Sequence, residues 1–202
     1  MKKLLIITLA LITFSTTEMY AQSWLNALKS AATSVVDKVT GGKLTEKAII
    51  GTWNYAQPGV KLSSDDALSD IAATALTSTI QTKIAPYYEI VGIKAGSCKF
   101  VINGDGTFSS TFGERTFSGT YTFEATTNKL NLKYSSGEME LIDLGTVPAY
   151  AYLNGEKLQI VFAMDKLLGV ITTLGSNIDS LSSITALLQK YNGLKVGFEF
   201  SK

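Results

Sequence analysis

Residues 98–124 read CKFVINGDGTFSSTFGERTFSGTYTFE and carry the clearest β-sheet pattern of the chain. Bulky side chains alternate with small or polar ones, and the runs are separated by turn signals, Asn-Gly-Asp-Gly at 103–106 and Gly-Glu-Arg at 113–115. A period of two residues with glycine-containing turns is typical of antiparallel hairpins. The pattern continues to residue 163 and returns in a last strand at 194–200. Because open sheet edges invite aggregation, so many hairpin strands must close on themselves or form a sandwich.

We therefore expect a mainly β chain with helical insertions (α+β), in which about eight strands close into an antiparallel up-and-down β-barrel. One face of each strand carries the bulky residues, and we expect that face to point into the barrel. The aromatic residues predicted to point inward are Phe100, Phe108, Phe112, Phe117, Tyr121, Phe123, Tyr134, Phe162, Phe198 and Phe200. A further strand is expected around Met139 and Leu141, with Glu138 and Glu140 on its outer face.

Helical patterns surround and interrupt this ladder. Residues 22–47 form an N-terminal helical segment with an apolar stripe from Trp24 to Val39. The barrel domain is expected at 48–202, with a first strand at 50–55 and two helical insertions, at 64–93 and 165–191. In the first insertion Pro86 predicts a break in the helix.

The N-terminus has the pattern of a signal peptide at residues 1–21. Lys2 and Lys3 precede an apolar run from Leu4 to Phe14, which is too short to span a bilayer, and Ala21 is the expected cleavage position. The sequence thus predicts an exported protein, periplasmic or extracellular, without a transmembrane span in the mature chain. Cys98 is the single cysteine, so no internal disulfide forms, and we expect a buried, inert thiol.

Composition argues against several classes of function. Removing residues 1–21 leaves sixteen basic and sixteen acidic residues with one arginine, so nucleic acid is not an expected partner. The chain has no histidine, which excludes Ser-His-Asp, Cys-His and imidazole-zinc sites. Glu138 and Glu140 are interpreted as outward strand positions rather than a glycosidase pair, and residues 103–106 as a turn rather than a calcium loop. We expect no catalytic residue, no metal and no cofactor.

The motif Gly51-Thr52-Trp53 on the first strand resembles the start of the barrel in the lipocalin and wider calycin superfamily. With residues 100–109 and Gly119-Thr120-Tyr121, it is most similar to small exported lipocalin-like domains of Gram-negative envelopes, whose function is uncharacterised. The resemblance implies a structural plug at the narrow end of the barrel. Trp53 would form it beside Gly51, and Lys195 would be the cation that packs across the indole.

The resemblance also implies a non-catalytic protein that binds a small hydrophobic ligand in the barrel. The residues expected to line such a cavity are Phe100, Phe112, Tyr121, Phe123 and Phe162, with Tyr87 and Tyr88 near the mouth. The alternative is a filled barrel that serves as an envelope protein-interaction or structural module, because eight strands leave a lumen that side chains alone can fill. The apolar stripe around Trp24, Leu28 and Val35 would then be a docking surface.

Overall fold

A computed structural model describes residues 43–62, 70–135, 145–173 and 194–202. It contains three helices, α1 (Lys43–Ala48), α2 (Asp70–Ile90) and α3 (Met164–Thr173), within these ranges. The eight described strands are β1 (Gly51–Lys61), β2 (Cys98–Ile102), β3 (Thr107–Phe112), β4 (Arg115–Glu124), β5 (Lys129–Tyr134), β6 (Thr146–Asn154), β7 (Lys157–Phe162) and β8 (Lys195–Ser201). The predicted signal peptide, the N-terminal stripe with Trp24, the strand around Met139 and the second half of the 165–191 insertion lie outside the described residues.

The eight strands form one closed antiparallel barrel in which each strand pairs with its neighbours in sequence. β8 closes it, because its residues pair with β7 on one side and with β1 on the other. The up-and-down barrel predicted from the sequence is therefore confirmed. We call the end at Gly51 the lower end, and the end at Lys61, where α2 and α3 connect to the strands, the upper end.

β1 is longer than the predicted strand 50–55, and it contains a proline. Only Gly51–Asn54 pair with β2, whereas pairing with β8 runs from Asn54 to Lys61. The upper half of β1 thus has an edge without a neighbouring strand, where a proline is tolerated because no ladder needs its N–H. α2 covers this edge, and Gln81 Nε2 donates a hydrogen bond to the Pro58 carbonyl oxygen at 2.8 Å.

The predicted helix break at Pro86 is wrong, since α2 runs without interruption from Asp70 to Ile90. A proline inside a helix removes one backbone hydrogen bond and crowds the preceding turn. Contacts with the barrel compensate, because Ile80, Ile84 and Tyr88 recur every fourth residue and are buried. Tyr88 lies two residues after the proline, and its hydroxyl donates a hydrogen bond to the Gly197 carbonyl oxygen at 3.0 Å.

Gly119 marks the closest approach of β4 to the chain around it. A Cβ at this position would overlap the carbonyl oxygen of Lys133 and would lie 2.9 Å from Phe108 Cε1. Tyr134 is the register partner of Gly119 on β5, and its ring meets the Phe108 ring edge-on at 5.1 Å between centroids. The missing side chain therefore makes room for two aromatic rings of the core.

Replacing Gly119 tests this packing. We expect Gly119→Ala to lower the free energy of unfolding by about 2 kcal/mol, because backbone must shift to admit the methyl group. For a chain of this size that corresponds to a fall in Tm of roughly 4–8 °C, measured by thermal unfolding. Gly104→Ala is the matched control, because its new Cβ would meet only Ile50 Cδ1 at 3.7 Å. Equal Tm values for the two variants would contradict the account.

Candidate functional site

The upper lumen of the barrel is organised around Phe198. Because β8 is paired on both sides, this inward ring is held at the centre of the aromatic residues that converge there. Its centroid lies within 6.2 Å of five other rings, which belong to Phe112, Tyr88, Phe162, Phe200 and Tyr55. Aromatic pairs at these distances contribute about 0.5–1.5 kcal/mol each beyond the burial of their surface. Phe198 is thus the ring whose removal would disturb the lumen most.

A second group of rings continues the packing below Phe198. Phe100 and Phe108 are stacked, with ring planes 6° apart and centroids 5.4 Å apart. Phe100 also contacts Phe200 at 6.0 Å, which connects this pair to the upper group. The inner surfaces of β1, β2, β3 and β8 are therefore joined by aromatic contacts through the interior.

Little space is left between these side chains. A cavity of about 10 Å³, the space open to the centre of a water-sized sphere, lies below α3. It is lined by Phe100, Phe112, Tyr134, Ile160, Phe162, Val170, Phe198 and Phe200. A volume of this size corresponds to about one water molecule.

The described polar groups of the lumen are hydroxyls. Ser110 is fully buried, and its Oγ lies beside the Tyr134 phenol without the geometry of a hydrogen bond to any described residue. Burial raises the pKa of Tyr134 to about 12, with a smaller opposing influence of Ser110. Burial, and secondly the neighbouring Tyr55, raise the pKa of Tyr88 well above its usual value. At neutral pH these phenols are uncharged, so they offer a ligand polarity but no charge.

The structure brings together only part of the predicted ligand-binding set. Phe100, Phe112 and Phe162 line the small cavity, and Tyr88 reaches it indirectly through its contact with Phe198. Tyr87 is half-buried on α2 and packs against the core. Tyr121 and Phe123 belong to the lower part of β4, and the Tyr121 hydroxyl donates to the Asn103 carbonyl oxygen at 2.8 Å.

Five lining residues were absent from the predicted site, namely Tyr134, Ile160, Val170, Phe198 and Phe200. Strand alternation identifies Tyr134, Phe198 and Phe200 as inward residues, and Ile160 shares a face with Phe162. Strand alternation gives no information about Val170, because this residue lies on α3 and a two-residue period does not show where a helix packs.

Trp53, the residue expected to form the plug, is buried near the lower end of the barrel. It is 1% exposed, and its Nε1 donates a hydrogen bond to the Ile49 carbonyl oxygen at 2.7 Å. The cation over its ring is Lys202, with Nζ 4.6 Å from the centroid, and the same side chain passes Gly51. The expectation that Lys195 packs across Trp53 is wrong, because Lys195 lies over Tyr150 at 4.6 Å.

The outer face of β8 holds a buried carboxylate that the sequence analysis missed. Glu199 is 5% exposed and accepts three side-chain hydrogen bonds. Gln57 on β1 donates at 2.9 Å, Gln159 on β7 at 2.7 Å and the Lys157 ammonium at 3.0 Å. These bonds tie β8 to both neighbours and satisfy the charge. With its oxygens engaged in this way, Glu199 is poorly placed to act as a general base.

Cys98 and Asp105, the remaining candidates from the sequence, contact neighbouring residues of the fold. Cys98 is a buried free thiol whose Sγ lies 3.5 Å from Ser97 Oγ. Asp105 accepts hydrogen bonds from the Thr107 hydroxyl and backbone N–H, and these bonds lower the pKa of its carboxyl. Both donors belong to Thr107, the first residue of β3, so the carboxylate ties the β2–β3 turn to the start of that strand. The residues that the structure describes contain no group of three or more His, Cys, Asp or Glu side chains suited to a metal.

A closed, eight-stranded, antiparallel up-and-down barrel is the fold of the lipocalin-like class. The model of the lipocalin-like domain family DUF4923 matches residues 25–202, and the chain belongs to this family. The description of the family names a fold and no activity.

One solved structure is similar to this chain, a crystal structure of a DUF4847 family protein from Bacteroides vulgatus ATCC 8482. The similarity covers 77% of this chain and 96% of the other, with 14% identity and a TM-score of 0.39. The comparison with curated proteins gave no match. Among the described helices, none combines the length and apolar character needed to cross a bilayer.

Proposed function

We propose that this chain is a non-catalytic lipocalin-like module with a filled barrel, which acts through its outer surface as an interaction or structural component of the cell envelope. The observation that carries the proposal is the packing of the lumen. Seven inward-facing strand residues and Val170 of α3 line a cavity of about 10 Å³, whereas pockets for small molecules measure about 300–1,000 Å³.

The carriage of a small hydrophobic ligand in the lumen stays a prediction, and the packing weighs against it. A ligand of fatty-acid size needs space that Phe198 and its five ring neighbours occupy. Admitting it would break several aromatic contacts of about 0.5–1.5 kcal/mol each and would move α2, which Tyr88 anchors. A carrier with a preformed cavity does not have to meet this cost.

The chemistry of the described residues supports a non-catalytic role. The whole sequence lacks histidine. The lumen offers neutral phenols and a serine hydroxyl without a neighbouring base. The buried carboxylate Glu199 is engaged by three donors. A nucleophile paired with a general base, the usual requirement for acyl or glycosyl transfer, is therefore not assembled among these residues.

We also propose that the chain is exported and cleaved after Ala21. The support is the basic pair Lys2 and Lys3 followed by the apolar run 4–14. The intact mass of the protein recovered from the envelope fraction tests this proposal. A chain that starts at Gln22 is expected, and a chain that retains Met1 would overturn it.

Titration with apolar probes tests the filled barrel. We expect neither a fluorescent fatty acid nor benzene to bind saturably to the unmodified protein or to raise its Tm, because the lumen residues that the structure describes leave a cavity too small for either probe. Native mass spectrometry of the purified protein should show no co-purified small molecule. Saturable binding of the fatty acid, or a co-purified lipid, would contradict the filled barrel and favour ligand carriage.

A cavity variant shows that the assay detects lumen binding. Phe198→Ala removes the central ring, and apolar cavities of about 150 Å³ bind benzene. We expect benzene to raise the Tm of this variant by mass action. Because a Phe→Ala change in a core costs about 3–5 kcal/mol, Phe112→Ala, at a half-buried position of the same cavity, is the milder second variant.

A further inference from the structure

Two lysines lie directly opposite each other on the outer face where β1 meets β8. Lys61 and Lys195 are register partners at the upper end of these strands. Side chains in such pairs have Cβ atoms about 4.5–5.5 Å apart, and like charges placed there are destabilising. The structure gives neither ammonium a carboxylate partner among the described residues, where the ion pairs are Lys157–Glu199 and Lys166–Asp165. The described residues of the pair thus carry two positive charges, on a chain whose residues after Ala21 include sixteen basic and sixteen acidic ones.

The two ammonium groups lie over tyrosine rings of β6 instead. Lys61 Nζ is 4.8 Å from the Tyr152 centroid, and Lys195 Nζ is 4.6 Å from the Tyr150 centroid. We call Lys61, Lys195, Tyr150 and Tyr152 the lysine–tyrosine wall. Tyr150 also pairs with Lys129 on β5, whose partner on β4 is Glu124, so this third lysine lies opposite a carboxylate.

The outward residues between these lysines and the β6 tyrosines explain how the lysine side chains reach the rings. Gly59, Gly197 and Val161 form one outward row across β1, β8 and β7, and this row meets Tyr150 on β6. The two glycines place no side chain in the way. Val161 faces outward and is nevertheless fully buried, as expected if the aliphatic stems of the lysines lie across it. The register and the two ring contacts thus place both lysines on the same face of the sheet, and among the described residues no ion pair involves either of them.

This arrangement leaves the lysines available to an anion. A cation–π contact at an exposed site is worth only about 0.5–1 kcal/mol, whereas hydrogen bonds from ammonium groups to phosphate are among the stronger ones in proteins. The carboxylate on the neighbouring row, Glu199, does not compete, because it is engaged by Lys157 and its side chain is 6% exposed. An anion between the two ammonium groups would also relieve their mutual repulsion.

We propose that the lysine–tyrosine wall is a binding site for a phosphate group, held by Lys61 and Lys195 and flanked by the Tyr150 and Tyr152 phenols. The ligand is either free phosphate or the phosphate of a lipid headgroup, which share this chemistry. The inference rests on the proposed function, since it assigns a ligand to the outer surface. It can fail while the lumen remains filled, because the titration with apolar probes does not involve the wall.

The test is a titration of the ¹⁵N-labelled protein with inorganic phosphate, followed through the amide resonances of Gly197 and Val161. Chloride at equal ionic strength is the reference, because screening alone would act on all lysines. We expect saturable shifts at these two amides.

The variant Lys61→Gln/Lys195→Gln should weaken phosphate binding at least tenfold and keep or raise the Tm, since it removes a like-charge pair. The double variant Lys83→Gln/Lys99→Gln, on α2 and β2, is the charge-matched control and should bind as the unmodified protein does.

A second arm distinguishes the source of the phosphate. Sedimentation with vesicles of phosphatidylglycerol and phosphatidylcholine is compared with vesicles of phosphatidylcholine alone. Saturable binding of free phosphate, lost in Lys61→Gln/Lys195→Gln, supports a soluble ligand. Binding that occurs only on the anionic vesicles and is lost in the same variant supports a headgroup. Absence of both, or equal weakening by the control variant, would overturn the proposal.

Discussion

The two-sided pairing of β8 is the constraint on which the rest of the structure depends. β8 bonds to β7 and to β1, so it closes the sheet and removes the free edges that an open eight-stranded sheet would expose. Closure fixes the inward direction of Phe198 and Phe200, and these rings join the aromatic groups of the other strands. The outward residues of the same strand, Lys195, Gly197 and Glu199, contribute to the wall and to the carboxylate cluster. One strand thus determines both the filled lumen and the organised outer face.

Closure of the barrel also explains why its inner and outer faces differ in packing and in charge. An eight-stranded barrel has an interior that side chains can fill, and aromatic and aliphatic side chains together line the small cavity. The outer face keeps polar and charged groups at fixed register positions across four strands. The outer face thus opposes Lys61 and Lys195 at fixed register positions, whereas the described inner face is packed and uncharged.

Strand alternation was sufficient to predict the barrel and its inward aromatic residues. Predictions from strand alternation failed where a bulge interrupts the two-residue period and where the strand pattern ends. The bulge between Tyr55 and Gln57 shifts the inward face of β1 from odd to even positions, so Pro58 and Val60 face the core beyond the predicted strand. Lys195 is an odd-numbered residue of β8, so it points outward, away from the inward even-numbered residues Phe198 and Phe200. Lys202 is even-numbered like them, and it is the lysine that lies over Trp53. Helix packing carried no comparable signal, which is why the continuity of α2 through Pro86 and the position of Val170 were not predicted.

Native-state hydrogen exchange of the β8 amides tests most directly whether this seam holds the barrel closed. The account predicts that the hydrogen-bonded amides of β8 exchange only through global unfolding, with the free energy obtained from denaturant titration. Exchange of these amides through a local opening at much lower free energy, while β3 and β4 stay protected, would contradict it. Such an opening between β8 and β1 would give a route into the lumen.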